Sequence, residues 1–140
     1  MSIQHKIVLI YTKDLSVEIP DVETFLLARE RISKYKLTLD ISSKPLKNRM
    51  IEVHTKFIYT DHEKSKKKAY FEMLNSTIVQ IEEPNPDKEK LQKFILCDLQ
   101  TNIFPKLQEA FIQILRQTGF PEAKLNGEVD FYKLFQQNKN

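Results

Sequence analysis

Between Asp14 and Ile19 the chain alternates polar and apolar positions without a break. Leu15, Val17 and Ile19 are strand-forming apolar residues, Asp14, Ser16 and Glu18 separate them, and Pro20 ends the run. Period two is the mark of a half-buried strand, so "IQHKIVLIYTKD" with its continuation "LSVEI" predicts the first strand. "KYKLTLDI" predicts a second, with Tyr35, Leu37, Leu39 and Ile41 on one side and Lys34, Lys36, Thr38 and Asp40 on the other. "MIEVHTKFIYT" predicts a third, setting Ile51, Val53, Phe57 and Tyr59 against Glu52, His54 and Lys56. The fourth, "KAYFEMLNSTIVQIEE", is apolar on both parities, which calls for cover on both sides. "DHEKSKKK" suits a hairpin loop between the third and fourth strands.

After "EEPNPDKEK" the period changes. Asn85 predicts a helix cap with Pro86 in the first position. Leu91, Phe94, Ile95 and Leu99 mark one helical face, and Leu107, Ala110, Phe111, Ile114 and Leu115 resume it. Asn102 and Pro105 predict an interruption between the two, and Gly119 a stop. Asp130 predicts the cap of a short last helix, with Val129 and Leu134 as its hydrophobic staple. The order of four strands and then two helices indicates an α+β fold: an antiparallel sheet with helices on one face. The connection "DVETFLLARERIS" is expected to be a long crossover loop, apolar enough to pack down or line a groove.

The 140 residues predict one domain, residues 1–140, large enough to hold a core without staples. The single cysteine, Cys97, excludes an internal disulfide. Neither a signal-peptide layout nor a run of ~20 apolar residues is present, so a cytoplasmic protein without membrane insertion is expected. A net charge of +3 is too mild to imply nucleic acid, and only "KSKKK", Lys64–Lys68, is a basic cluster. Two glycines leave no phosphate-cradling loop.

No catalytic site assembles. His5, His54 and His62 lack metal-ligand spacing and Cys97 has no sequence-level partner, so neither an enzyme, a metal nor a cofactor is expected. Glu82 and Glu83 are adjacent on a strand end and point to opposite faces. The lysine cluster leaves a nucleic-acid-binding module open as an alternative, weakened by the missing aromatic interleaving. The aromatic residues of the crossover and the last helix, Phe25, Phe131, Tyr132 and Phe135, suggest a groove, because so short a helix stands only when packed on something.

In order along the chain, "IYTKDLSVEIP", "KYKLTLD", "NIFPKLQEAFIQILRQTGFP" and "VDFYKLF" resemble the segments of SecB, the protein-export chaperone family, from about residue 7 to residue 135. The resemblance implies a four-stranded antiparallel sheet followed by a long kinked helix and a short C-terminal helix. It implies a homotetramer, a dimer of dimers with the long helices between the sheets. It further implies an ATP-independent holdase that captures unfolded precursor polypeptides in apolar grooves and passes them to the SecA ATPase. By analogy the groove involves Phe25, Leu26, Leu27 and Ile32 of the crossover and Phe131, Leu134 and Phe135 of the last helix. Asp14 and Glu18 match the acidic face that meets SecA. The family's further leucine and glutamate fall on Phe71 and Met73, with Glu72 expected to point the other way. The sequence departs from the family in its pI of about 8.9, in Arg31 near the place of the usual crossover tryptophan, and in "FQQNKN" where an acidic, zinc-seeking tail follows. These departures bear on SecA docking rather than on holding an unfolded chain. A SecB-like chaperone dedicated to a narrow client, such as an antitoxin, is the second expectation.

Overall fold

The computed structural model describes residues 3–64, 66–125 and 129–139. Strand β1 (His5–Glu18) is followed by helix α1 (Val22–Arg31) and a 3-10 turn, Ile32–Lys34. Strands β2 (Lys36–Pro45), β3 (Met50–Thr60) and β4 (Tyr70–Ile81) come next. Helix α2 (Lys88–Lys93) runs through a π-helical segment, Phe94–Asp98, into α3 (Leu99–Gln117), and α4 (Phe131–Lys139) closes the chain. The four strands form one antiparallel sheet in the order β1-β4-β3-β2, which leaves β1 and β2 as its edges. This is the predicted α+β architecture.

The register sorts the side chains into two faces. Leu37 opposes Tyr59, Leu39 opposes Phe57, Tyr59 opposes Phe71 and Phe57 opposes Met73, and this set faces the helices. Phe57, Phe71, Phe94 and Phe111 are the largest wholly enclosed side chains of the core between the layers. The Phe57 ring stacks 5.6 Å from Phe104 and tilts 5.3 Å from Phe111, tying the sheet to α3. One polar contact sits inside this layer, where the Gln100 amide donates to Thr55 Oγ1 at 3.0 Å.

Three expectations need correcting. The crossover is a helix rather than a loop: Asp21 caps it, accepting from the Thr24 amide at 2.7 Å, and Glu23 favours its first turn. Asn85 does not cap α2. It occupies a left-handed turn at φ 47°, which asparagine tolerates, and the capping position falls to Asp87. Pro105 does not break the long helix, which continues through it to Gln117. Ile103, Phe104 and Leu107, buried on both sides of the proline, hold the two halves on the sheet and offset the missing hydrogen bond. The irregularity lies upstream instead, in the π segment.

The long helix ends as predicted at Gly119. The Phe120 amide donates to the Leu115 carbonyl at 3.1 Å and the Gly119 amide to that of Arg116 at 3.5 Å, the paired bonds of a Schellman stop. No described helix is long and apolar enough to cross a membrane.

Candidate functional site

The helices lie over β3 and β4 and leave the inner side of β2 half open. Leu37, Leu39 and Ile41 face the helix layer yet are only partly buried. Beside them opens a cleft of about 730 Å³. Tyr35, Leu37, Leu39 and Tyr59 form the sheet side, Ile32 closes one end, and Leu125, Val129 and Leu134 form the opposite wall. Among the described residues its single charged lining residue is Lys124. The Tyr35 hydroxyl accepts from the Ala69 amide at 2.9 Å, and burial pushes the phenols of Tyr35 and Tyr59 up, so both stay neutral.

Helix α4 forms part of the wall because its start is fixed. Asp130 accepts from the Lys133 amide at 3.1 Å and caps it as predicted. Val129 and Leu134 both line the cleft, as a staple requires. Beneath them Phe131 is buried, its ring edge-on at 5.2 Å from Phe104, and the Cys97 thiol donates to the Phe131 carbonyl at 3.5 Å.

Of the seven residues expected in the groove, the cleft brings together Ile32 and Leu134. Phe131 is core, and Phe135 is partly buried against it. Phe25 packs under the end of α3, its ring 5.3 Å from Phe120. Leu26, 57 % exposed, and half-buried Leu27 lie on α1 and do not line the cleft. The strand residues Leu37, Leu39 and Tyr59, and Tyr35 just before β2, were not expected there. Their alternation marks them as inward-facing but cannot say which edge the helices leave uncovered.

The other side of the sheet carries no helix. The register of β1 breaks between Thr12 and Asp14, and this bulge turns Leu15 and Val17 to the helix side and Asp14, Ser16 and Glu18 to the open side. Asp14 stands opposite Leu74, Ser16 opposite Glu72 and Glu18 opposite Tyr70. Glu72 therefore shares a face with Asp14 and Glu18, and the expected parity of this strand is reversed. Phe71, expected on the docking face, is fully buried on the helix side, packing edge-on 5.5 Å from Phe120. Met73 is buried on the same side. Glu72 accepts from the Tyr70 hydroxyl, which drives that phenol up to about 12.

Lys13, carried by the bulge, reaches Glu52 at 3.2 Å. Glu52 is 6 % exposed although it lies on the open face. The Ser76 hydroxyl donates to it at 2.8 Å and, with Lys13 and His54, holds its carboxyl down to about 2. The lysine cluster of the β3–β4 loop is partly occupied within the chain. Lys67 lies 3.5 Å from Asp21 and 3.3 Å from Glu23, and Lys68 donates to the Glu63 carbonyl at 2.8 Å.

A family profile described as "Preprotein translocase subunit SecB" matches residues 1–140. A Pelagibacter ubique protein, provisionally named as the protein-export protein SecB, is 40 % identical over 140 residues, covering 100 % of both chains. The protein-export protein SecB of Bradyrhizobium diazoefficiens is 27 % identical over 128 residues, covering 91 % of this chain and 78 % of its own. Among solved structures, a Mycobacterium tuberculosis SecB-like chaperone in complex with a peptide from an antitoxin superposes with a TM-score of 0.65 at 11 % identity, covering 89 % of this chain and 90 % of its own. That likeness shows the fold.

Proposed function

The chain belongs to the SecB family, whose members are chaperones of protein export and not enzymes, and from that premise we propose that it is an ATP-independent holdase whose client site is the cleft between β2 and α4. The observation that carries this reading is the half-open inner side of β2, where Leu37, Leu39, Ile32 and Leu134 surround about 730 Å³ of almost uncharged space. Each client side chain buried there gains about 1.5–3 kcal/mol. Several such sites on one oligomer add through effective concentration, which suits capture of unfolded precursors and release by competition rather than by chemistry.

In this reading the protein works in the cytoplasm as a homotetramer. Support for assembly comes from β1, whose Val8, Leu9, Ile10, Tyr11 and Leu15 are 39–48 % exposed at an edge of the sheet. The outward face of α3 carries Lys106, Glu109 and Arg116, all exposed. Delivery to SecA is assigned to the open sheet face, through Asp14 and Glu18 joined by Glu72 in place of Phe71.

The test is capture of a permanently unfolded, fluorescently labelled protein, followed by anisotropy with and without ATP. Saturable binding indifferent to nucleotide is expected. Absence of binding by the folded protein would overturn the reading.

A further inference from the structure

Helix α4 packs on the π segment Phe94–Asp98 more than on any other element. In that segment the Leu99 amide donates to the Phe94 carbonyl, five residues back instead of four. The wider turn changes which residues share a side. In an α-helix two residues five apart point about 140° away from each other, at about 100° per residue. In a π turn they come nearly into line, and Lys93 and Asp98 are five apart.

Tyr132 of α4 engages both. Its hydroxyl donates to Asp98 Oδ1 at 2.6 Å, and its ring centroid lies 5.9 Å from the Lys93 ammonium. The bond to Asp98 pushes the Tyr132 phenol up, which keeps the donor protonated. The ring does not line the cleft. About the axis of α4, Phe131 and Phe135 lie between Tyr132 on one flank and Leu134 on the other, the two flanks roughly 160° apart. Phe131 is buried, and Leu134 lines the cleft. Holding the Tyr132 flank against the π segment therefore fixes the roll of the helix and the depth to which Leu134 enters.

Nine residues are too few for α4 to keep its place by helix stability alone, so its contacts decide where it sits. We propose that Tyr132 is a positioning residue of the client cleft, seating α4 across the Lys93–Asp98 pair that the π turn brings together. The inference rests on the holdase reading and identifies what holds the wall of that site in place.

The chain supplies its own reporter. Cys97, its single cysteine, is fully buried, and its thiol donates to the Phe131 carbonyl at 3.5 Å, so lifting α4 uncovers it. Its reaction with 5,5′-dithiobis(2-nitrobenzoate) is followed at fixed protomer concentration, with and without a saturating, cysteine-free, permanently unfolded protein as client. Tyr132→Phe keeps the ring and removes the bond to Asp98, and should react about five- to tenfold faster than wild type. That rate should rise only shallowly with urea, the mark of a local opening rather than of global unfolding. Tyr132→Leu, which also takes the aromatic ring from Lys93, should react faster still. Client should slow Tyr132→Phe back toward the wild-type rate, because a client bound to the seated wall stabilises it, a linkage that a merely structural role would not produce. Equal rates in Tyr132→Phe and wild type would overturn the proposal, as would an acceleration that tracks global unfolding. So would a rate unmoved by client that anisotropy shows to be bound. Folded wild type that binds no client would sink the holdase reading, a failure told apart because the faster reaction of Tyr132→Phe without client would persist.

Discussion

Replacing Gly119 by alanine probes how the crossover helix is anchored. The residue sits at φ 122°, where side chains other than hydrogen are strained, and left-handed backbone costs about 1–2 kcal/mol for such a residue. A Cβ built there falls 2.5 Å from Phe25 Cε1, so the ring must move. That ring lies against Phe120, and forcing it off its rotamer adds about 0.5–1.5 kcal/mol. Together Gly119→Ala should cost about 2–3 kcal/mol, lowering the melting temperature by about 5–10 °C for a chain of this size. Thermal unfolding at fixed protomer concentration measures it, since the midpoint of an assembling protein depends on concentration. In a Phe25→Ala background the steric part vanishes, and the same substitution should cost about 1 kcal/mol less. An unchanged midpoint, or an equal cost in both backgrounds, would refute the assignment of Phe25 to the helix anchor.

Asp61 accepts from Arg31 at 2.5 and 3.2 Å and is held at about 2, chiefly by that bond. Its folded value lies below the ordinary 3.8, so its contribution is complete above that pH and is lost as pH falls toward 2. Asp61→Ala should destabilise by about 2 kcal/mol at neutral pH and flatten this part of the acid-unfolding profile. Reversing Asp14 and Glu18 to lysine should abolish calorimetric binding to SecA of the same organism while leaving client capture intact, and retained binding would remove the docking assignment. Sedimentation should show tetramers at micromolar protein, shifting to smaller species in Ile10→Lys; monomers in the wild type would count against assembly.

The strands were legible because Tyr35–Ile41 keeps strict period two and Ile51–Tyr59 departs from it only at Thr55 and Ile58. The crossover helix was not, because it fully buries only Thr24 and Ala28 and so shows no broad apolar stripe. Its signal was Asp21 three residues before Thr24, a capping spacing. Phe71 was misplaced by matching letters rather than parity: it shares parity with Val79 and Ile81, which are core, whereas Glu72 shares parity with Ser76 and Ile78 on the open face. Burial of Glu52 had no local signal, since Ser76 reaches it from the neighbouring β4 and Lys13 from β1 beyond that strand.

The most direct test follows aggregation of a chemically denatured client by light scattering, without nucleotide, in the presence of wild type or of the cleft variant Ile32→Asp, Leu134→Asp. The account predicts near-complete suppression by wild type and marked loss in a variant that remains folded. Equal suppression by both would place the client site elsewhere, and no suppression by folded wild type would contradict the chaperone account.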